Sequence, residues 1–395
     1  MAYAVTKRFL SGEVSDASLR SIVRESYDFP VPLEHVSDRV YIMRLDRGPT
    51  AAFKDFAARM MARLMQYFLK REGKQILILT ATSGDTGSAV AHAFHGADNI
   101  DVVVLFPRRE VTDMQRRQMT TLGGNVSCLA VDAKFDDCQR LVKQAFNDPE
   151  LRGLNLSSAN SINFGRLLPQ TVYYFYAYAN LAREAGERVV FSVPSGNFGN
   201  LMGGVLAREM GLPVEKFVVA TNENDEFPRF LASGKYKPIR PSKECISNAM
   251  NVGNPSNLAR LIHMYGGFLD EKGVLRKNPR LEELHKDFYS VSVSDEETRN
   301  AIKEVYDRYA MMLEPHGAVG WAGLAAYLKE SGWRELSVCL ETADPAKFPE
   351  EIVRVLGVTP KTPESMRGLQ RKREYYEQIP SDYAALKKRL TSGSC

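Results

Sequence analysis

A chain of 395 residues, 44% of them hydrophobic, exceeds the size at which one compact core usually stops growing, so two lobes are expected. The 52 basic and 48 acidic residues leave a formal charge of +4, too even a balance for a nucleic-acid groove; Arg108-Arg109 and Arg116-Arg117 read as solvated helix faces. Five cysteines (Cys128, Cys138, Cys245, Cys339, Cys395) and six histidines lack metal-ligand spacing, the N-terminus lacks the apolar core of a signal peptide, and no apolar run reaches membrane-spanning length. A cytoplasmic protein is expected, with no structural metal, no nucleic acid and no membrane as partner.

Residues 1–39 read as a helical lead-in, capped by Asp16 or Ser18 and carrying Leu19, Ile22, Val23 and Tyr27, followed by a Pro-containing loop. The strand-like run Val40 to Leu45 ends at Gly48-Pro49, and Thr50 is placed to cap a helix with an apolar face of Phe53, Phe56, Ala57, Met60, Met61, Leu64 and Phe68. Lys54 falls in the first turn of that helix, where a cation opposes the dipole at a cost of about 0.3–1 kcal/mol; it either snorkels to water or has a chemical role.

Strand-like and helix-like runs then alternate through Ile76 to Thr80, Gly87 to His95, Val102 to Phe106, Thr112 to Thr121, Val126 to Val131 and Phe135 to Phe146. A long aromatic-rich helix is expected from about Ile162 to Glu184, with Tyr173, Tyr174 and Tyr176 as packing residues. A second series runs from Arg188 to Glu341, interrupted by a loop-rich tract at 233–256. Alternation of this kind implies parallel sheets covered by helices, an α/β architecture. The expected division is a large lobe of residues 1–75 and 186–360, a small lobe of 76–185, and a charged helical tail, 361–395, packed on the surface.

Two Gly-rich turns sit where a strand-like run meets a helix-like one. Thr80-Ala81-Thr82-Ser83-Gly84-Asp85-Thr86-Gly87-Ser88 lies in the first series and Pro194-Ser195-Gly196-Asn197-Phe198-Gly199-Asn200 in the second. In an open parallel sheet such turns collect backbone amides that bind anions. Neither has the spacing of a Walker loop or a G-x-G-x-x-G pattern, which disfavours a nucleotide-binding module. A lysine with two anion-binding turns suggests a pyridoxal phosphate (PLP) enzyme, the amine forming a Schiff base and one turn holding the cofactor phosphate.

Ordered motifs carry a closer resemblance. Gly-Pro-Thr-Ala-Ala-Phe-Lys-Asp-Phe at 48–56, Ala-Thr-Ser-Gly-Asp-Thr-Gly at 81–87, Gln-Met-Thr-Thr-Leu-Gly-Gly-Asn at 118–125, Phe-Asp-Asp-Cys-Gln at 135–139, Ser-Ala-Asn-Ser-Ile-Asn-Phe-Gly-Arg at 158–166, Pro-Ser-Gly-Asn-Phe-Gly-Asn at 194–200, Ser-Asn-Ala-Met-Asn-Val-Gly-Asn-Pro-Ser-Asn at 247–257 and Thr-Ala-Asp-Pro-Ala-Lys-Phe at 342–348 resemble the threonine synthase family over about residues 9–356. The resemblance implies a fold-type-II PLP enzyme, tryptophan synthase β-like, with two lobes. The implied activity converts O-phosphohomoserine and water to threonine and phosphate by γ-elimination and β-addition.

Residue by residue, the resemblance implies that Lys54 carries PLP and moves the protons, and that Ser195, Gly196, Asn197, Phe198 and Gly199 hold the cofactor phosphate. Asp85 would stand near the phenolic oxygen, where related enzymes have asparagine, and Thr342 would face the ring nitrogen, its neutral hydroxyl leaving that nitrogen largely unprotonated. Ser83 and Thr86 would take the substrate carboxylate. Asn160, Ser161, Asn163 and Arg166, at the expected start of the long helix, are candidates for a leaving phosphate.

Departures from the family pattern accompany the match. The family commonly has Phe-His before the glycine and His before Pro-Ala-Lys-Phe, where this chain has Asp46-Arg47 and Asp344. A further N-terminal segment of several dozen residues usual in this long type is expected to be missing. These departures keep two alternatives open: a specialised PLP enzyme acting on another γ-substituted amino acid, and a non-catalytic relic that binds a metabolite. The expected partner is a small amino-acid substrate, phosphorylated under the first reading, and the protein is expected as a monomer or homodimer.

Overall fold

The computed structural model describes residues 1–392, and its packing divides them into two units. The first comprises residues 1–6, 31–47 and 170–361; the second comprises 7–30, 48–169 and the chain from 362 onward. This division differs from the expected boundaries: residues 7–30 and 48–75 fall in the second unit and residues 170–185 in the first. The Lys54 helix groups with the Gly-rich turn of the first series, and the C-terminal stretch belongs to that same unit.

The first unit is built on a six-stranded sheet in the order Leu33–Ser37, Val40–Arg44, Ser337–Glu341, Val189–Pro194, Val214–Thr221, Phe288–Ser292. Only the first pair is antiparallel. The helices Asp295–Tyr309 and Pro315–Ser331 contribute Ile302, Val305, Ala318 and Leu324 to a core with Ile42, Val190 and Cys339 of the sheet. Val189–Pro194 is buried at every position, which explains its unbroken apolar run.

The second unit carries a five-stranded, wholly parallel sheet in the order Glu377–Ile379, Val126–Val131, Ile100–Pro107, Ile76–Ala81, Leu156–Ser157. Successive residues feed two separate cores. Ile78, Val102 and Val104 pack with Phe94 and Met119, whereas Leu77, Leu79, Val103 and Leu105 pack with Leu141 and Leu386.

Several local expectations are corrected. The lead-in helix Asp16–Ser26 is capped by Ser15, whose hydroxyl accepts from Ser18 N, and not by Asp16 or Ser18. The helix expected from Ile162 to Glu184 is reduced to Thr171–Leu181, preceded by 3-10 turns at Phe164–Arg166 and Leu168–Gln170. Pro169 explains the break, because it lacks an N–H and its ring clashes with a continuous helix. The tail is more than a surface helix: Glu377–Ile379 joins the sheet, and Ile379, Leu386 and Leu390 enter its core. Cys128, Cys138, Cys245 and Cys339 are buried free thiols, and Cys395 lies outside the described residues. Among the described residues no helix is long and apolar enough to cross a membrane, and no group of His, Cys, Asp and Glu is arranged to hold a metal.

Candidate active site

In the second unit the site is built around Lys54, the first residue of the helix Lys54–Glu72. Thr50 does not cap that helix. Its N–H and its hydroxyl both donate to Asp55, at 2.8 Å to Oδ2 and 2.7 Å to Oδ1, and the N-cap position falls to Phe53. The turn is tight enough that Ala51 adopts φ 52°, and a Cβ on Gly48 would lie 2.4 Å from Asp55 Oδ2. Asp55 thus locks the turn that presents Lys54.

The lysine does not snorkel. Its side chain is 14% exposed, with Nζ 3.7 Å from Asp85 Oδ2 and 4.6 Å from the Phe53 ring centroid. Asp85 opens the helix Asp85–Phe94, where a carboxylate suits the positive end of the dipole, and it is 2% exposed. Its Oδ1 accepts from Gln115 Nε2 at 3.0 Å. Gln115 Oε1 in turn accepts from Thr112 N at 3.1 Å, so the amide can present only its NH2 group to Asp85. Gln115 lies over Gly84, whose φ of 135° and lack of a Cβ make room for it; a Cβ there would come within 2.5 Å.

Thr82 holds the rest of this turn, its hydroxyl accepting from Gly84 N at 2.9 Å and Gly87 N at 2.7 Å. Ser83 and Thr86 are half-buried beside it. Asn160 joins the ends of two neighbouring strands: Oδ1 accepts from Thr80 Oγ1 and Nδ2 donates to Ala81 O, both at 2.8 Å. Asn163 donates to Ser158 O and accepts from Gly165 N, so both amide side chains are engaged by this loop. Ser161 is half-buried. Arg166 is buried in a 3-10 turn and donates to Ala159 O. Burial lowers its guanidinium to about 10, against which the Asp55 charge acts. Asp55 therefore links Arg166 electrostatically to the Lys54 turn.

In the first unit, Ser195 to Gly199 and Thr342 follow two adjacent parallel strands. Cys339 pairs with Ser192, which brings the ends of Val189–Pro194 and Ser337–Glu341 side by side. From Val189–Pro194 the chain moves outward through Val214–Thr221 to Phe288–Ser292 and then crosses back to Ser337–Glu341 on the other side of Val189–Pro194, so the two segments stand where the strand order reverses, the usual ligand position of an open α/β sheet. Ser195 is tied down through its N–H to Ala220 O at 2.8 Å and its hydroxyl to Val193 O at 3.0 Å. Phe198 takes a left-handed conformation, φ 62°, immediately before the helix Gly199–Glu209. That backbone gathers successive N–H groups at the start of a helix, where they lack intrahelical acceptors.

The 247–257 motif walls this turn. A Cβ on Gly196 would lie 2.8 Å from Met250 Cα and 2.9 Å from Ala249 O. Asn197 Oδ1 accepts from Ser256 N at 2.8 Å and Ser256 Oγ at 3.0 Å, while Asn257 Nδ2 donates to Asn197 O at 2.9 Å. The three departures from the family pattern meet one another: Arg47 lies 3.6 Å from Asp46 Oδ1 and 3.5 Å from Asp344 Oδ2. Arg44 grips Asp46 through two nitrogens, and burial raises the Asp344 carboxyl above its usual range.

Gln115, Thr82 and Asp55 escaped sequence reasoning, as did Glu314 and His316 behind Thr342. Thr112-x-x-Gln115 carries the signature of a capping box, and Glu314-Pro315 that of a helix start, so both segments were legible as helix termini but not as parts of a site.

Comparison with known proteins gives this geometry a context. Residues 28–342 match the family model described as pyridoxal-phosphate dependent enzyme, and residues 317–389 match the model for the threonine synthase C-terminal region. A threonine synthase of Haemophilus influenzae is 43% identical over 386 residues, covering 96% of this chain and 84% of that protein. The crystal structure of threonine synthase from Escherichia coli superposes with a TM-score of 0.88 at 40% identity, covering 98% of this chain and 86% of the other. The PLP-bound threonine synthase from Brucella melitensis gives 0.90 at 36% identity, covering 98% and 87%.

Proposed function

This chain belongs to the pyridoxal-phosphate dependent enzymes, among the threonine synthases, and from that premise we propose that it converts O-phosphohomoserine and water to threonine and phosphate. The observation that carries the reading is the Lys54 amine 3.7 Å from a buried carboxylate, on a turn locked by Asp55. The residues fit PLP. Lys54 would bind it covalently and Asp85 would stand at its phenolic oxygen. The turn Ser195 to Gly199, where Gly196 admits no Cβ and Phe198 is left-handed, would hold its phosphate through Ser195, Gly196, Asn197, Phe198 and Gly199. Thr342 would take the ring nitrogen.

Bound PLP supplies the electron withdrawal that makes the α- and β-protons of an amino acid removable. Lys54 Nζ is the group placed to accept and return those protons. Asp85 steadies the ammonium form of Lys54, and Gln115 steadies Asp85. Ser83 and Thr86 bind the substrate carboxylate at the start of a helix. For the leaving phosphate we retain the segment of Asn160, Ser161, Asn163 and Arg166. The bonds of Asn160 and Asn163 suit bracing of that segment, and the buried Arg166 cation adds positive potential. The substrate is thus a phosphorylated amino acid and the setting cytoplasmic.

The ion cluster of Asp46, Arg47 and Asp344 favours a second reading, a γ-substituted amino acid other than O-phosphohomoserine. Turnover of a panel of γ-substituted homoserines, read by phosphate release and product identification, separates the two. Threonine and phosphate from O-phosphohomoserine are expected; inertness toward it alongside turnover of another homoserine derivative overturns the first reading.

A further inference from the structure

Two glutamines of one helix reach the two halves of the Lys54 site. The helix Asp113–Thr120 carries Gln115 and Gln118 three residues apart, hence on one face, and both are buried. Gln115 Nε2 donates to Asp85 Oδ1 at 3.0 Å, and Gln118 Nε2 donates to Thr50 O at 2.9 Å. Thr50 in turn donates through its N–H and its hydroxyl to Asp55, the residue after Lys54. A closed ring results, running from Lys54 through Asp55, Thr50, Gln118, Gln115 and Asp85 and back to Lys54 across 3.7 Å. Every other link of that ring is covalent or a hydrogen bond of 2.7 to 3.0 Å, so those links set how closely the amine approaches Asp85.

The helix is itself held in place. Toward the helix Asp85–Phe94, the Ser88 hydroxyl lies 3.1 Å from Gln115 O, and a Cβ on Gly87 would come within 2.9 Å of Met119 Sδ. Toward the C-terminal stretch, Arg116 Nε and the Thr120 hydroxyl meet Glu374 Oε2 at 2.8 and 2.7 Å, and Tyr375 N donates to Thr120 O at 2.6 Å. Gln118 separates positioning from packing. Its side chain is buried, yet Oε1 has no hydrogen-bond partner, so the amide carries a desolvation cost that the bond to Thr50 only partly offsets. An apolar side chain of the same length would fill that space without an orphaned oxygen, but it would not hold the Thr50 carbonyl.

We propose that Gln118 and Gln115 are paired positioning residues for Lys54, the helix Asp113–Thr120 serving as a ruler that fixes the lysine-bearing turn and Asp85 at one separation. Gln118 acts from the side of the amine and Gln115 from the side of the carboxyl group. The proposal rests on the reading that Lys54 carries PLP. Without Gln118, Asp55 still folds the turn, but the turn is no longer referenced to the helix that aims Asp85. Nζ then spends less time in the orientation that reaction requires, and events that need the amine in place slow down. Because either glutamine closes the same ring, removing one already breaks it, and removing the second adds little.

The test mixes the full chain, freed of cofactor, with PLP, quenches with borohydride at successive times and counts the label on Lys54 by peptide mapping, at a temperature where every variant is folded by thermal unfolding. Gln118→Met, similar in length but without a donor, is expected to slow labelling of Lys54 by about 10-fold, near the worth of one hydrogen bond, with a melting temperature within a few degrees of the parent. Gln115→Met should slow it comparably, and the double variant should be little slower than either. Gln118→Asn, whose amide is one methylene too short to reach Thr50 O, gives the same reading where Gln118→Met does not fold. Parent-rate labelling in the Gln118 variants, with or without lost stability, overturns the proposal while leaving Lys54 as the attachment point. Slowing in the double variant equal to the product of the two single effects overturns the ruler and leaves two independent contacts. A parent that takes its label at another residue, or none, removes the reading of Lys54 and the proposal with it.

Discussion

The two strand-to-helix turns, Thr82 to Gly87 and Ser195 to Gly199, share a position at the carboxyl end of a parallel strand yet use it in opposite ways. The first spends side chains: Thr82 satisfies two backbone amides, Gln115 fixes Asp85, and Asp85 faces Lys54, so the turn manages charge. The second spends backbone: a glycine pressed against Met250 and Ala249, a left-handed phenylalanine, and asparagines that bind the chain to itself. A turn rich in Gly, Ser and Thr is therefore not one kind of site. One arrangement places an amine beside a buried carboxylate; the other sets a close-packed glycine and a left-handed residue at the start of a helix.

The largest effect is expected at Lys54. Lys54→Ala should lower turnover by at least about 10³-fold, because no other group is placed to carry both the cofactor and the protons. Borohydride should no longer fix PLP to the chain, while noncovalent PLP binding persists through the backbone turn. Parent-like turnover, or loss of all PLP binding, would break the division of labour between the two turns.

Next in size is Gly196→Ala. Its Cβ would meet backbone atoms of Ala249 and Met250, which cannot retreat by changing rotamer, so a cost of about 1–3 kcal/mol is expected. Read as the dissociation constant for PLP, that is weakening by roughly 10- to 100-fold. At saturating PLP, borohydride should still label Lys54. Ser83→Ala, which alters the other turn, should leave PLP affinity unchanged; equal weakening by both variants would show that the turns are not separable.

Much of the fold was legible because parallel strands buried on both faces leave continuous apolar runs, and Val126–Val131 fell where its sequence run placed it. The short strands Leu156–Ser157 and Glu377–Ile379 were not legible, since two or three residues carry no periodicity and their pairing comes from the neighbouring strand. Lys54 and both turns stood out through their chemistry at helix starts. Gln115, Glu314 and His316 did not, because each matters through a partner 28 to 67 residues away or through a bond that only folding creates. Arg166 shows the converse: a cation near Asn160 and Asn163 in sequence reads as an anion ligand, and the fold puts it beside the Asp55 charge.

The smallest effect tests whether charge is managed differently in the two units. Glu226 opens the helix Glu226–Ser233 of the first unit, is 2% exposed, and has no hydrogen-bond partner for Oε2. Burial, ahead of all other causes, raises its carboxyl from 4.5 to about 8. A carboxyl whose folded-state value is raised binds its proton more tightly when folded, so its contribution is fully favourable below the unfolded value and is lost as pH rises toward 8. Glu226→Gln keeps the shape of the neutral acid. It should match the parent in thermal unfolding near pH 4.5 and exceed it by a few degrees near pH 8. Asp85→Asn in the second unit should do the reverse at neutral pH, lowering apoprotein stability by about 1–3 kcal/mol, because it strips a mostly buried ammonium of its nearby carboxylate. A Glu226→Gln gain that does not change with pH would refer the effect to packing, and a stabilising Asp85→Asn would mean that the carboxylate beside Lys54 is held at a cost to the fold.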